Sequence, residues 1–482
     1  MGRTNTFSVT RLGTVAARSI QSLLGTALCV GLVPACGGSP IGSSEDSADD
    51  TQIGQTVEAA MLSPMMPQNM MDEHMNWHST NHATDTDYGL HFLQFHRHFV
   101  TEVLQWEFGQ GANLSPMYQW DWIPTELKTG AQWNQTKINA EKELWTLPTR
   151  TTEDGLGRLI DPDSGLHGFL HTQGAAVYNE PDLGDFMVAP GVTEFYGIHG
   201  LVELWHQHWL DWKRSNLVEI GSTVYARAAN GNFYKMTGTN TWQQVSGPAS
   251  MFVAVGTSLY KLSTDGTAIS KYTGSGQTWT TLAGIPGREI FKCGASICAT
   301  LPLNPFVVAG AIFRWNATNS TWNIISGPMR NFGSSSTTLY GVHPTGTFTY
   351  SFNESTQQWD PASTLAGDLF VTDSEVFSSA SIDADTGGSI WHKNGSGFLN
   401  WEKIGGAGRT WVAIGSNIYG LTPSGGTVFK WTPTSSNRTV WTNIGSGGDW
   451  IYGTNSLYKI DSTGTIFKYS GSGTTWTSLG HP

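Results

Sequence analysis

Val412-Ala413-Ile414-Gly415-Ser416-Asn417-Ile418-Tyr419 repeats the pattern of Val253-Ala254-Val255-Gly256-Thr257-Ser258-Leu259-Tyr260. Each stretch reads as two short strands joined at a glycine turn, because β-branched and aromatic residues flank a Gly followed by small polar residues. A second phrase is also shared, Asp461-Ser462-Thr463-Gly464-Thr465-Ile466-Phe467-Lys468-Tyr469 echoing Ser263-Thr264-Asp265-Gly266-Thr267-Ala268-Ile269-Ser270-Lys271-Tyr272. Around these phrases a tryptophan recurs at Trp242, Trp279, Trp322, Trp359, Trp401, Trp441 and Trp476, at intervals of 35 to 43 residues. A repeat of this length with several short strands buries its sheet only by stacking on its neighbours, as a β-propeller blade does. Seven recurrences predict an all-β propeller of about seven blades over residues 216–482.

Upstream of Ser215 the pattern changes. Phe92, Phe95, Phe99, Val103 and Trp106 recur every three or four residues, as do Phe195, Ile198, Val202, Trp205 and Trp209. This is the period of helices with one buried face. The chain is therefore expected to be multidomain, with a mainly α helical-bundle domain at 57–215 preceding the propeller.

Eleven of the 14 histidines fall between His74 and His208, inside the helical part. Neutral imidazole suits copper, zinc and iron, and a helix places residues i and i+4 on one face. His78-x-x-x-His82 and His167-x-x-x-His171 both have that spacing. Neither pair has Glu directly after its first His, which separates them from the zinc protease motif. His98, His206, His208, His343, His392 and His481 read as ordinary polar side chains, with His206 on the same helical face as His199.

The whole chain has 482 residues, enough for two to four domains, with 39% apolar and 13% charged residues and a net charge of -12. Phosphate binding needs a basic face, so nucleic acid and anionic membrane surfaces are excluded as main partners. Residues 1–35 carry Arg3, Arg11 and Arg18 before an apolar run from Ile20 to Val33, which reads as an export signal. Leu32-Val33-Pro34-Ala35-Cys36-Gly37 resembles a bacterial lipoprotein signal, which implies a lipid on Cys36 and no other membrane attachment. Ordinary cleavage nearby is the alternative, so the protein is expected either at the periplasmic or outer cell surface as a lipoprotein or secreted. The Gly, Ser and Asp-rich stretch at 36–56 reads as a tether. Cys29 leaves with the signal, and Cys293 and Cys298 are expected to form a local disulfide in an oxidising compartment.

Four elements of the helical part resemble the tyrosinase family. Phe92-Leu93-Gln94-Phe95-His96-Arg97-His98-Phe99-Val100 is similar to its Phe-Leu-Pro-Trp-His-Arg-x-Tyr-Leu signature, and Met117-Tyr118-Gln119-Trp120-Asp121-Trp122 to its Pro-Tyr-Trp-Asp-Trp element. Leu166-His167-Gly168-Phe169-Leu170-His171 resembles His-Asn-x-Val-His, and Phe195-Tyr196-Gly197-Ile198-His199-Gly200-Leu201-Val202-Glu203 resembles Phe-Trp-Leu-His-His-Ala-x-x-Asp. The resemblance covers 57–215 and implies two copper ions, dioxygen as co-substrate and oxidation of a small phenol or catechol to a quinone. It implies His96 as a ligand of the first copper and His167, His171 and His199 as the ligands of the second. For the rest of the first site, His74, His78, His82 and His91 are all within reach; His78 and His82 are taken here, with His91 the main rival. Glu203 stands where the family has an orienting Asp.

The departures bear on the reaction. Gly168 replaces the Asn associated with phenol deprotonation, Ile198 replaces the first His of the His-His pair, and no Cys is near to form a thioether to a ligand. These changes favour catechol oxidation over monophenol hydroxylation. Trp106, Trp120, Trp122, Trp205 and Trp209 are expected to pack as core, and Asp121 to act structurally. The repeats at Leu217–Leu479 resemble tectonin and tachylectin propellers, which implies a glycan or cell-surface partner at loops between blades. With the tryptophans as blade core instead, the propeller is a docking platform. The competing reading of the whole chain is a lectin-like binding protein whose helical domain binds oxygen or is an inactive type-3 copper module.

Overall fold

The computed structural model describes residues 65–482 apart from residues 113, 115–116, 118, 147–151, 286, 302–310, 327–328, 344–345, 347, 364, 366, 381–387 and 396–399. The expected export signal, Cys36 and the tether lie outside the described residues. Among the described residues no helix is long and apolar enough to cross a membrane.

Among the described residues the helical spacing before Ser215 becomes six α-helices: α1 (Gln68–Thr80), α2 (Tyr88–Gly109), α3 (Gln135–Trp145), α4 (Glu153–Arg158), α5 (Leu166–Val177) and α6 (Thr193–Arg214). Phe92, Phe99, Val103, Phe195, Ile198, Val202, Trp205 and Trp209 are buried in one core, with Phe95, Trp106 and Trp120 packed against it. α6 is buried on nearly every side, polar residues included. Such a helix must lie between two bodies rather than on a surface. Its second neighbour is the propeller.

Twenty-eight strands, numbered in chain order, form seven four-stranded antiparallel sheets in strictly sequential order. The blades run over residues 217–246, 251–281, 289–326, 332–363, 367–407, 410–446 and 450–480. The recurring tryptophans stand at or near the start of the fourth strand of each blade. There Trp279 donates its indole N–H to the Val245 carbonyl of the preceding blade at 2.8 Å, and Trp441 and Trp476 do the same to Ile404 and Ile444 at 2.7 and 2.8 Å. Trp242 closes the series by donating to Leu479 of the last blade at 3.2 Å. These rings are thus inter-blade ties, each joining apolar burial to a hydrogen bond that a buried indole needs.

No strand is shared between the first and last blades. Glu219 of β1 (Leu217–Ile220) instead reaches across the seam and accepts from the Asn455 and Ser456 amides at 3.1 and 2.9 Å and from the Tyr458 hydroxyl at 2.9 Å. Cys293 and Cys298 are disulfide-bonded across the hairpin of β9 (Glu289–Cys293) and β10 (Ser296–Thr300).

Only Ser215 and Asn216 separate α6 from β1. The helical core continues into the outer blades through Leu217, Trp450 and Tyr458. Ion pairs stitch the same boundary: Lys213 to Asp449 at 2.7 Å, Arg214 to Asp368 at 2.6 Å and Arg288 to Asp121 at 3.4 Å. Asp121 therefore holds the fold, by pairing with the third blade.

Candidate metal centre

Four helices bring six histidines to one place. α1 supplies His74 and His78, α2 supplies His96, α5 supplies His167 and His171, and α6 supplies His199. His74, His78 and His96 form one group and His96, His167 and His199 another, with ligand-capable atoms in each group within 4.8 Å of one another. The His171 ring lies 4.8 Å from His167 and 5.3 Å from His199, and the His96 and His199 rings stack at 4.7 Å.

The outward nitrogens are held by the fold. His96 and His199 donate from Nδ1 to the carbonyls four residues earlier, Phe92 at 2.8 Å and Phe195 at 2.9 Å. His74 donates to the Phe186 carbonyl at 3.0 Å and His171 to Leu183 at 2.8 Å. His167 Nδ1 faces Asp161 at 3.6 Å, and Asp161 also accepts from the Tyr88 hydroxyl at 2.6 Å. Burial works to raise the Asp161 carboxyl, but its contacts with His167 and Tyr88 outweigh this and hold it at about 2. A carbonyl can only accept, so these imidazoles carry their proton on Nδ1 and present a bare Nε2 inward.

The inward nitrogens have no protein donor to meet. Nε2 of His74 and of His96 is buried without a hydrogen-bond partner, and Nε2 of His167 faces Nε2 of His199 at 3.2 Å. With the His167 proton on Nδ1, toward Asp161, both of these Nε2 atoms present lone pairs, which repel at that distance unless a cation lies between their axes. Two nitrogens each ~2.0 Å from one tetrahedral ion stand ~3.3 Å apart, so the spacing fits a pair of ligands on one metal. Burial, reinforced by the neighbouring imidazoles, pushes His74 down to about 2, His78 to about 4 and His171 to about 3, and holds His96 and His199 well below the usual histidine range. These five imidazoles are thus neutral at ordinary pH, as metal ligands must be. Donor set, tautomer and orphaned atoms all fit a metal centre.

Aromatic rings enclose the cluster. Phe92 packs 4.6 Å from His96 and 4.9 Å from His167, Phe195 3.9 Å from His199 and Phe99 5.2 Å from His74. The less buried side is at His78 and His171. There Phe186 lies 5.5 Å from His78 and is half exposed, as are Met187 and Val188 beside it.

Of the residues taken from the sequence, the structure brings together His78, His96, His167, His171 and His199. His82 is not among them. α1 ends at Thr80, so His82 falls in the exposed loop beyond it, where its amide donates to Asp85. His91 is also exposed. The place that His82 was expected to fill is held by His74, one turn before His78 on the same helix. The signal was present, since His74-x-x-x-His78 has the spacing of His78-x-x-x-His82; what the spacing lacked was the end of the helix. Asp161 and Phe186 lie in no ligand motif, so the sequence carries no signal for them.

Glu203 touches no imidazole of the cluster. One turn after His199, it binds Arg97, the chain neighbour of His96, through two bonds of 2.8 and 2.7 Å, and Arg330 of the fourth blade at 2.8 Å. It ties α6 to α2 and to the propeller. His206 pairs with Glu153 at 2.7 Å, and His392 with Glu375 at 2.6 Å, away from the cluster. Gly197 and Gly200 flank His199 because the segment Gln119–Trp120 lies against them: a Cβ at Gly197 would overlap the Trp120 indole, and one at Gly200 the Gln119 side chain. Trp120 also donates its amide to the Gly197 carbonyl at 3.1 Å. Tyr118 of the same element lies outside the described residues.

No family model matches the chain, and no curated protein matches it. Solved structures with a similar shape include YCF48 bound to D1 peptide, at 15% identity over 52% of this chain and 90% of that one, with a TM-score of 0.37. YCF48 from Cyanidioschyzon merolae is similar at 11% identity over 55% and 94%, TM-score 0.37. The acylaminoacyl peptidase of Pyrococcus horikoshii is similar at 7% identity over 55% and 52%, TM-score 0.41. The seven-bladed propeller is established by the chain's own sheet order.

Proposed function

We propose that the six histidines hold a binuclear copper centre and that the protein oxidises diphenols or related aromatics to quinones, as tyrosinases and catechol oxidases do. His74, His78 and His96 hold one ion; His167, His171 and His199 hold the other. One observation carries this reading: Nε2 lone pairs from four helices converge with no protein donor among them, while the matching Nδ1 atoms are tied outward. Zinc sites of three histidines exist, but two three-histidine sets sharing one buried chamber would suit a pair of copper ions.

When bound, a copper pair binds dioxygen and passes electrons, so that two diphenols and one dioxygen give two quinones and two waters. The chain's part is to orient and exclude. Asp161 and four carbonyls fix the imidazoles before any ion arrives, which removes reorganisation from binding. The phenylalanines keep bulk water out of the chamber. Phe186, with Met187 and Val188, offers an apolar rim against which an aromatic substrate lies. At position 168 the glycine offers no side chain to take a proton from a monophenol, which favours substrates that already carry two hydroxyls.

The export signal, the lipid on Cys36 and a glycan or cell-surface partner for the propeller belong to the same proposal. Because Trp242, Trp279, Trp441 and Trp476 are committed to inter-blade ties, such a partner would be met by loop residues.

The test is metal content. Copper-reconstituted protein should hold two coppers per chain, give far less Cu(II) paramagnetic signal than two isolated ions, and turn over catechol faster than a monophenol. One metal per chain, or preference for zinc, sinks the reading.

A further inference from the structure

The propeller encloses a cavity of about 610 Å3 that lies along its axis and is lined from all seven blades. One end is stopped by the last turn of α6, through Asp211, Arg214 and Ser215; the other reaches Asp373, Gly415 and Asn455, in the turns after the first strands. Five strand residues at ~3.3 Å each make the funnel ~16 Å deep. This volume lies in the range of small-molecule sites rather than of single ions.

The charges at the stopped end do not balance. Arg214 is taken by Asp368 at 2.6 Å and by Asp211 at 2.8 Å, and Arg288 by Asp121 at 3.4 Å. Lys292 and Asp373 offset each other near the open end. Glu289, the first residue of β9, is left over. It lines the cavity, is 3% exposed, and its Oε1 has no hydrogen-bond partner. The nearest imidazole atom, His208 Nδ1, is 4.0 Å away, and both His208 ring nitrogens are unpartnered as well. Burial pushes the Glu289 carboxyl up to about 7, with Arg288 opposing and Asp211 adding to the rise. A buried carboxylate without a partner is destabilising, and groups retained at such a cost are commonly those that meet a ligand. Above it the wall is apolar: Phe291 and Phe332 stack at 4.0 Å, with Met251, Val253 and Val371 around the same cavity.

We propose that the axial cavity is a binding site for a small organic cation, an ammonium group on a short apolar or aromatic stem, with Glu289 as its counter-ion. The ammonium sits at the stopped end beside the Glu289 carboxylate, and the stem lies against Phe291 and Phe332. Both a free amine and a lysine side chain of a polypeptide have this chemistry. The site is independent of the copper reading.

Titration calorimetry of the full chain, freed of metal by chelator, tests it. 2-Phenylethylamine should bind saturably, one per chain, and the neutral 2-phenylethanol at least ~10-fold more weakly. Glu289→Gln should abolish the difference between them while melting no lower than the parent, since it removes an unpaired buried charge. Ser334→Trp, which narrows the cavity beside Phe332 and leaves the carboxylate in place, should weaken binding too. An N-acetylated lysine peptide that binds as the amine does identifies a polypeptide source; its failure beside a binding amine identifies a free one. No saturation by ~10 mM amine, equal binding of the alcohol, or binding unchanged in both variants overturns the proposal and assigns the orphan oxygen to ordered water.

Discussion

Arg97 grips Glu203 with two parallel bonds, Nε to Oε2 at 2.8 Å and Nη2 to Oε1 at 2.7 Å, while Arg330 from the propeller takes Oε1 at 2.8 Å. Two of the three partners sit beside or one turn from cluster histidines, so one carboxylate locks two histidine-bearing helices and a blade. Burial works to raise this carboxyl, but Arg330 and Arg97 outweigh it and hold it well below its usual range. Its contribution to stability is therefore complete at neutral pH and is lost as pH falls through the depressed folded value. Glu203→Ala takes the carboxylate from Arg330 and leaves Arg97 only Asp368, at 3.7 Å, and should cost about 3–5 kcal/mol in urea unfolding. Arg330→Lys, which keeps the charge, should cost much less.

The exchange of His82 for His74 gives a sharp contrast. His74→Ala should lower bound copper by about one ion per chain, because Nε2 of His74 is an inward, unpartnered donor. His82→Ala, in an exposed loop, should leave copper content and stability unchanged. Copper analysis after gel filtration decides between them.

Gly197→Ala forces a Cβ into the Trp120 indole within the helix that carries His199. Overpacking of this kind costs about 1–3 kcal/mol, and here it also displaces a ligand. A drop in both melting temperature and copper occupancy is expected, whereas Gly168→Ala, with open space at its Cβ, should leave both nearly as they are.

Glu289 sets a pH dependence of opposite sign to Glu203. Its folded value, raised from 4.5 to about 7, makes its stabilising effect full below the unfolded value and lost as pH climbs to about 7. The span corresponds to on the order of 3 kcal/mol. In the absence of amine, denaturation followed from pH 4 to 8 should show this slope in the parent and a flatter curve in Glu289→Gln.

Trp279→Phe keeps most of the apolar contact but deletes the 2.8 Å bond to Val245. The expected cost is about 1 kcal/mol for the lost bond, plus a smaller packing loss. Near-equal stability of the variant would make the ring mere filling.

The sequence was most readable where a repeated physical requirement wrote itself several times. Seven tryptophans stand at or near the start of the fourth strand of their blades, and four of them, Trp242, Trp279, Trp441 and Trp476, donate to the neighbouring blade, so the blade period is visible without any contact being known. The helices were legible from Phe92-Phe95-Phe99 and Phe195-Ile198-Val202 for the same reason. The metal centre was less so: His167 and His171 share a helix and a motif, but the choice between His74 and His82 turns on where α1 ends, and that stop is marked by a single Asn81, whose amide and side-chain N–H donate to the Trp77 carbonyl at 3.0 and 2.9 Å, a residue as common in turns as at helix ends. Arg330 and Asp161 were out of reach, because their roles arise from contacts between segments far apart in the chain.

The seam at Glu219 has a consequence for how the molecule is made. Glu219 and the Asn455 and Ser456 amides it clasps are 236 and 237 residues apart. On the ribosome the first half of the clasp emerges long before the second, so the ring stays an open crescent until the seventh blade is out. The helix that stoppers the ring and carries His199 leaves the ribosome earlier still, and its Lys213 waits for Asp449, synthesised 236 residues later.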